Sequence, residues 1–168
     1  WNTKTCGMHV HVSRLPLSRF QIGKIIQFIH NPANYSLVRK IAGRHSDNYG
    51  GYRTEKKAKD LANEENGDRY TAVNLQNVST IEFRLFKGTL LKAGFFRNLE
   101  FVHALVNFTK PAQRSLNAAT DAVEFCSWLA QPEQRKLYPN LVKFLAERNF
   151  ITLPKQVSTH SKQIPLCA

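Results

Sequence analysis

Two stretches of this sequence, far apart along the chain, alternate in the same way. In GMHVHVS, Met8, Val10 and Val12 fall on one side of an extended chain, and His9, His11 and Ser13 fall on the other. In TIEFRLF, Ile81, Phe83 and Leu85 take one side, while Thr80, Glu82 and Arg84 take the other. A period of two with β-branched and aromatic residues specifies a half-buried strand. The ionisable fronts narrow the choice further, because burying unpaired charge costs several kcal/mol. Taken singly, each stretch has a bland explanation: strand histidines are usually satisfied by hydrogen bonds, and exposed Glu–Arg pairs are usually solvated. Together they predict one sheet with an apolar back and a polar front, on which His9, His11, Glu82 and Arg84 converge.

Helical periodicity fills most of the remaining chain. In LPLSRFQIGKIIQFIH, Ser18 is placed to cap a helix, Gln21 to complete a capping box and Leu17 to staple onto Ile22. Ile22, Ile25, Ile26 and Ile29 then form an apolar stripe. A second helix is expected over Tyr35 to Ala42. Strands over about Tyr70 to Gln76 and Thr80 to Phe86, joined through NVS, predict an antiparallel hairpin. Phe95, Leu99, Val102 and Val106 mark one face of a long helix. Two more helices are expected near Thr120 to Leu129 and Pro132 to Arg148, with Pro139 breaking or kinking the latter. Between Gly43 and Gly67 the chain is polar and long for a connection, and such loops often carry function. These segments predict an α+β fold: an antiparallel sheet backed by helices over residues 1–110, a helical extension over 111–150 packed on it, and an extended tail over 151–168.

Composition sets the outer limits. A chain of 168 residues can bury roughly 70% of its unfolded surface around a single core. It has no apolar run long enough to span a membrane. Its three cysteines, Cys6, Cys126 and Cys167, are odd in number and widely spaced, which fits a reducing compartment better than a disulfide framework. Lys and Arg outnumber Asp and Glu by 24 to 12, a net charge of +12 that favours anionic partners: nucleic acid, nucleotide phosphates or acidic substrates. The chain begins with Trp rather than Met and reads as a fragment or a processed product.

The motifs carry a family resemblance. CGMHVHVSR resembles the GxHxH strand of glutamine synthetases, and TIEFR resembles their later ExR strand. The match is closer to the amidoligases of the same carboxylate–amine ligase superfamily, where a GxHxHVS strand precedes an RYxAxN segment and a TxEFRxFxGTL strand. This chain has RYTAVN at Arg69 to Asn74 and TIEFRLFKGTL at Thr80 to Leu90. The resemblance covers about Cys6 to Val106. It implies part of a glutamine synthetase-like catalytic domain lacking its N-terminal strands, cytoplasmic and encoded by a bacterium or a phage. It implies ATP as cosubstrate, with Mg²⁺ or Mn²⁺ held by His9 and Glu82. His11 would contact the nucleotide phosphates, Arg69 would steady the transferring phosphoryl group, and Arg84 would hold a substrate carboxylate or acyl-phosphate oxygens. Arg44 and Tyr49 match a family segment near the substrate.

The implied reaction needs these residue types. A carboxylate is a poor electrophile, so ATP converts it to an acyl phosphate that an amine then displaces, and arginines neutralise the charge that develops. The planar fork of Arg suits carboxylate and phosphate alike. The family completes its metal sites with a strand carrying two glutamates, and no ExE strand occurs here. Two expectations follow: an upstream segment of the same polypeptide supplies that strand, or the domain is a degenerate ligase scaffold serving as a non-catalytic structural, nucleic-acid-binding or anion-binding module. A two-His-one-carboxylate iron site is a third alternative, but it gives Arg84 no role.

Overall fold

The computed structural model describes residues 6–44, 71–110 and 115–153. Strand β1 (Gly7–Ser13) leads into helix α1 (Arg19–His30), a 3-10 turn (Pro32–Asn34) and α2 (Tyr35–Ala42). Strands β2 (Val73–Asn74) and β3 (Thr80–Lys87) follow, then the long helix α3 (Lys92–Thr109). Four shorter helices close the described chain: α4 (Leu116–Ala119), α5 (Ala122–Leu129), α6 (Pro132–Leu137) and α7 (Pro139–Ala146). The architecture is α+β, with a small antiparallel sheet in the order β1-β3-β2 and helices on its apolar side. Among the described residues no helix is long and apolar enough to cross a membrane.

The local signals account for most boundaries. Ser18 Oγ accepts from the Gln21 backbone N–H at 3.1 Å and starts α1. The Gln21 side chain bonds elsewhere: it is buried, and its amide donates to the Val106 carbonyl of α3 at 2.9 Å. Gly43, in the left-handed region at φ 67°, ends α2 with its N–H on the Arg39 carbonyl. Pro139 divides the expected Pro132–Arg148 helix in two: α6 stops at Leu137, and Pro139 begins α7, where a missing N–H costs nothing.

The sheet carries one irregularity. Val10 pairs with Phe83 and His11 with Glu82, but Met8 pairs with Phe86, so β3 sets Arg84 and Leu85 against His9 alone. This is a β-bulge, and it resets the alternation of β3. Ile81, Phe83 and Leu85 are buried as expected, and beyond the bulge Phe86 is buried as well.

A continuous core joins the sheet to all the larger helices. Phe83 and Phe86 from β3 and Ile25, Phe28 and Ile29 from α1 share it with Phe101 and Phe108 of α3 and Phe125 of α5. Edge-to-face contacts link Phe28, Phe101 and Phe108 to Phe125, with ring centroids 5.2–6.0 Å apart. The helices between Leu116 and Ala146 thus pack into the same core as the sheet. The buried face of α3 is rotated from the expected stripe: it centres on Asn98, Phe101, Leu105 and Phe108, and Phe95 is exposed.

Candidate functional site

The polar front of the sheet brings together most of the residues singled out in the sequence. His9 and His11 project from β1 with side chains 36% and 51% exposed, while Glu82 and Arg84 on β3 are 15% and 18% exposed. Glu82 is the hub. Its Oε1 lies 2.8 Å from His9 Nδ1, 3.7 Å from His11 Nε2 and 3.8 Å from Arg84 Nε. The Asn74 side-chain amide donates to Glu82 Oε2 at 3.3 Å, and its carbonyl oxygen accepts from the Gln76 N–H at 2.8 Å. His11 Nδ1 is 3.3 Å from Thr80 Oγ1.

Arg44 reaches the same front from the end of α2. The left-handed turn at Gly43 sends the next residue toward β1, and the Arg44 guanidinium occupies the space that a Cβ on Gly7 would fill. Gly7 shares the His9 and His11 side of β1, so its missing side chain leaves room for a second arginine beside the histidines.

The electrostatics of His9 follow from this crowding. Burial lowers its pKa from the ordinary value of 6.5; Glu82 opposes the shift, and Arg84 and Arg44 add to it. His9 is therefore mainly neutral at pH 7. When Nδ1 carries the proton it donates to Glu82, and Nε2 is left with a lone pair.

Mg²⁺ prefers near-octahedral coordination by oxygen, and catalytic sites usually combine protein carboxylates with water and phosphate. His9, His11 and Glu82 offer one carboxylate and imidazole nitrogens. Among the described residues no group of three or more His, Cys, Asp or Glu side chains is placed to hold a metal ion. His9 and Glu82 can supply two donors to a metal site, and these residues do not complete one.

Arg69, together with Tyr49, lies outside the described residues. Two features of this cluster were missed in the sequence. Asn74 belongs to the RYTAVN segment, and the hairpin register that sets it opposite Glu82 was the signal that marks it. Gly7 reads as a spacer in GxHxH until the position of Arg44 gives it a steric purpose. Comparison with protein-family models, with curated proteins and with solved structures returns no match to this chain.

Proposed function

We propose that the front of the β1–β3 sheet is the oxyanion-binding part of an ATP-dependent carboxylate–amine ligase centre, with a glutamine synthetase-like sheet. The observation that carries this reading is the convergence of His9, His11 and Arg84 around Glu82, with the Arg44 guanidinium beside Gly7 on the same face and an apolar core behind it. Ligation through an acyl phosphate passes anionic oxygens from ATP to the carboxylate and then to phosphate. A pair of arginines held at a partly dehydrated surface stabilises such oxygens more strongly than bulk water does. Arg84 and Arg44 are the donors to those oxygens, and His11 adds a further donor. Glu82 is hydrogen-bonded to His9 and Asn74, which orients the imidazole, and lies within ion-pair distance of Arg84, whose charge it offsets. The resemblance supplies the reaction class and Arg69 as a further participant. ATP and a divalent metal belong to that reaction, and no step is assigned to the metal.

Titration with ATP, with and without Mg²⁺, followed by an assay of amine-dependent ADP release on the natural polypeptide, tests the reading. Binding that falls about tenfold or more in Arg84→Gln supports it, since a charge-assisted bond to an anion is worth that much. ATP affinity in both Arg84→Gln and Arg44→Gln equal to the parent's overturns it.

A second reading rests on the +12 charge and on the donors of the described residues, which do not complete a metal site: a ligase-like scaffold kept as an anion-binding or nucleic-acid-binding module. It expects nucleic acid to bind with a steep salt dependence and no ADP release in any form of the protein.

A further inference from the structure

A second cluster of positive charge lies away from the sheet front, where α3 meets the end of α7. Arg97 projects from the first half of α3, and its guanidinium carbon sits 4.2 Å from the centroid of the Phe144 ring. Arg148, just past α7, sits over the same ring at 3.7 Å. The neighbouring Asn98 is fully buried, and its amide contacts the sulfur of Met8 on the apolar side of β1. This locates the pair behind the sheet, on the opposite side from His9.

Two guanidiniums on one ring repel each other, and ordinarily a carboxylate offsets them. Among the described residues Arg97 has no carboxylate partner. Its Nε and Nη2 donate to the uncharged Asn98 Oδ1 at 3.1 and 2.9 Å. Arg148 Nη1 donates to the Phe144 carbonyl at 3.1 Å and approaches Glu147 Oε2, a carboxylate 55% exposed, at 3.5 Å. The nearest acid on α3, Glu100, is committed elsewhere, to Asn140 and the Leu141 N–H at the start of α7. Burial, and then Arg148, push the Arg97 pKa down, as expected of a cation short of counter-charge.

The bonds in use also fix the donors left over. Arg97 keeps both N–H groups of Nη1, and Arg148 keeps Nε and Nη2. Stacking on Phe144 and the side-chain bonds hold both forks before any ligand arrives, which reduces the entropy lost on binding. Two guanidiniums held against one ring, one with its Nε/Nη2 fork open and the other with Nη1 open, suit a tetrahedral oxyanion that offers several acceptor oxygens.

We propose that Arg97 and Arg148, held on the Phe144 ring, form a second anion site that binds a phosphate group, carried either by a free nucleotide or by a nucleic-acid backbone. The site is separate from the sheet front and does not depend on its function.

The test uses the whole chain in four forms: parent, Arg148→Gln, the double variant Arg97→Gln/Arg148→Gln, and Arg148→Lys. Pyrophosphate and a single-stranded oligothymidylate are the probes, and the readouts are the Arg97 and Arg148 Nε–H resonances together with binding isotherms. In the parent, pyrophosphate shifts both Nε–H signals. Arg148→Gln weakens that binding about tenfold or more, and Arg148→Lys does not restore it, because a point charge lacks the fork. Because Arg148 is at the surface, its replacement leaves folding intact. A saturable oligonucleotide signal lost in the double variant names the nucleic-acid backbone as the source; a pyrophosphate signal alone names the free nucleotide. Nε–H signals of Arg97 and Arg148 that do not move with either probe, or equal affinity in the folded double variant, would overturn the proposal.

Discussion

His9 Nδ1 meets Glu82 Oε1 at 2.8 Å, although the ladder pairs Glu82 with His11. His9 and Glu82 are diagonal neighbours on one face of the antiparallel pair, within reach of side chains this long, and the bulge lies just beyond, opposite His9. Glu82 thereby serves both histidines and Arg84, and the titration of His9 reports on the whole cluster.

Folding lowers the pKa of His9, chiefly through burial, so the native state favours the neutral ring. The resulting stability is complete above 6.5, where both folded and unfolded His9 are neutral, and is lost as pH falls through the folded-state value. Glu82 works against that shift. Glu82→Gln is therefore expected to lower the His9 pKa further and to widen the acid-side window over which stability is lost. An NMR titration of the His9 ring in both proteins checks this; a His9 pKa that holds or rises in the variant contradicts the geometry.

Cys126 offers a second titration. Burial, helped by Asp121, raises its thiol to about 11. At pH 8 roughly one molecule in a thousand then carries the reactive thiolate. Alkylation of the native protein with iodoacetamide, followed by peptide mass analysis, should modify the exposed Cys6 well before Cys126. Equal rates at the two positions would show that α5 opens far more readily than its packing implies.

Glu100 makes a prediction about stability. Helix α7 begins at Pro139 after Tyr138, which gives no side-chain cap. Glu100 of α3 supplies one from across the core, accepting from the Leu141 N–H at 2.7 Å and from the Asn140 side chain. A carboxylate at a helix start satisfies an orphan donor and complements the dipole. Glu100→Ala should destabilise the fold by about 1–2 kcal/mol, read from urea unfolding, with phosphate binding at the sheet front unchanged. A change within about 0.3 kcal/mol would mean that water replaces the cap at no cost.

Period-two alternation was enough to place the His9, His11, Glu82 and Arg84 side chains on one front, because a half-buried strand leaves little freedom in which face it buries. The bulge was less legible. Its sequence signal is the adjacent apolar pair Leu85 and Phe86, which a strict alternation treats as noise. The face of α3 was misjudged for another reason: buried positions there include Asn98 and Thr109, and apolar counting passes over polar residues. Thr109 Oγ1 satisfies itself on the Leu105 carbonyl, and Asn98 on Arg97 and Met8, which makes their burial affordable. The contact between Gly7 and Arg44 joins elements 37 positions apart and has no local signature.

That contact gives the most discriminating test of the site. A methyl group on Gly7 would overlap the Arg44 guanidinium, the far end of a flexible side chain, and would sit 3.3 Å from the Phe86 carbonyl oxygen, so both would shift to admit it. Gly7→Ala should still leave stability within about 1 kcal/mol of the parent, since a strand tolerates Ala better than Gly. Its effect should fall instead on anion binding. If Arg44 supports the sheet front from its place beside Gly7, the variant loses ATP affinity to the same degree as Arg44→Gln, and the double variant Gly7→Ala/Arg44→Gln loses no more than either alone. Such complete non-additivity is the mark of two residues acting through one contact. Additive losses would show that Arg44 and Gly7 act independently, and unchanged affinity in both single variants would remove Arg44 from the site altogether.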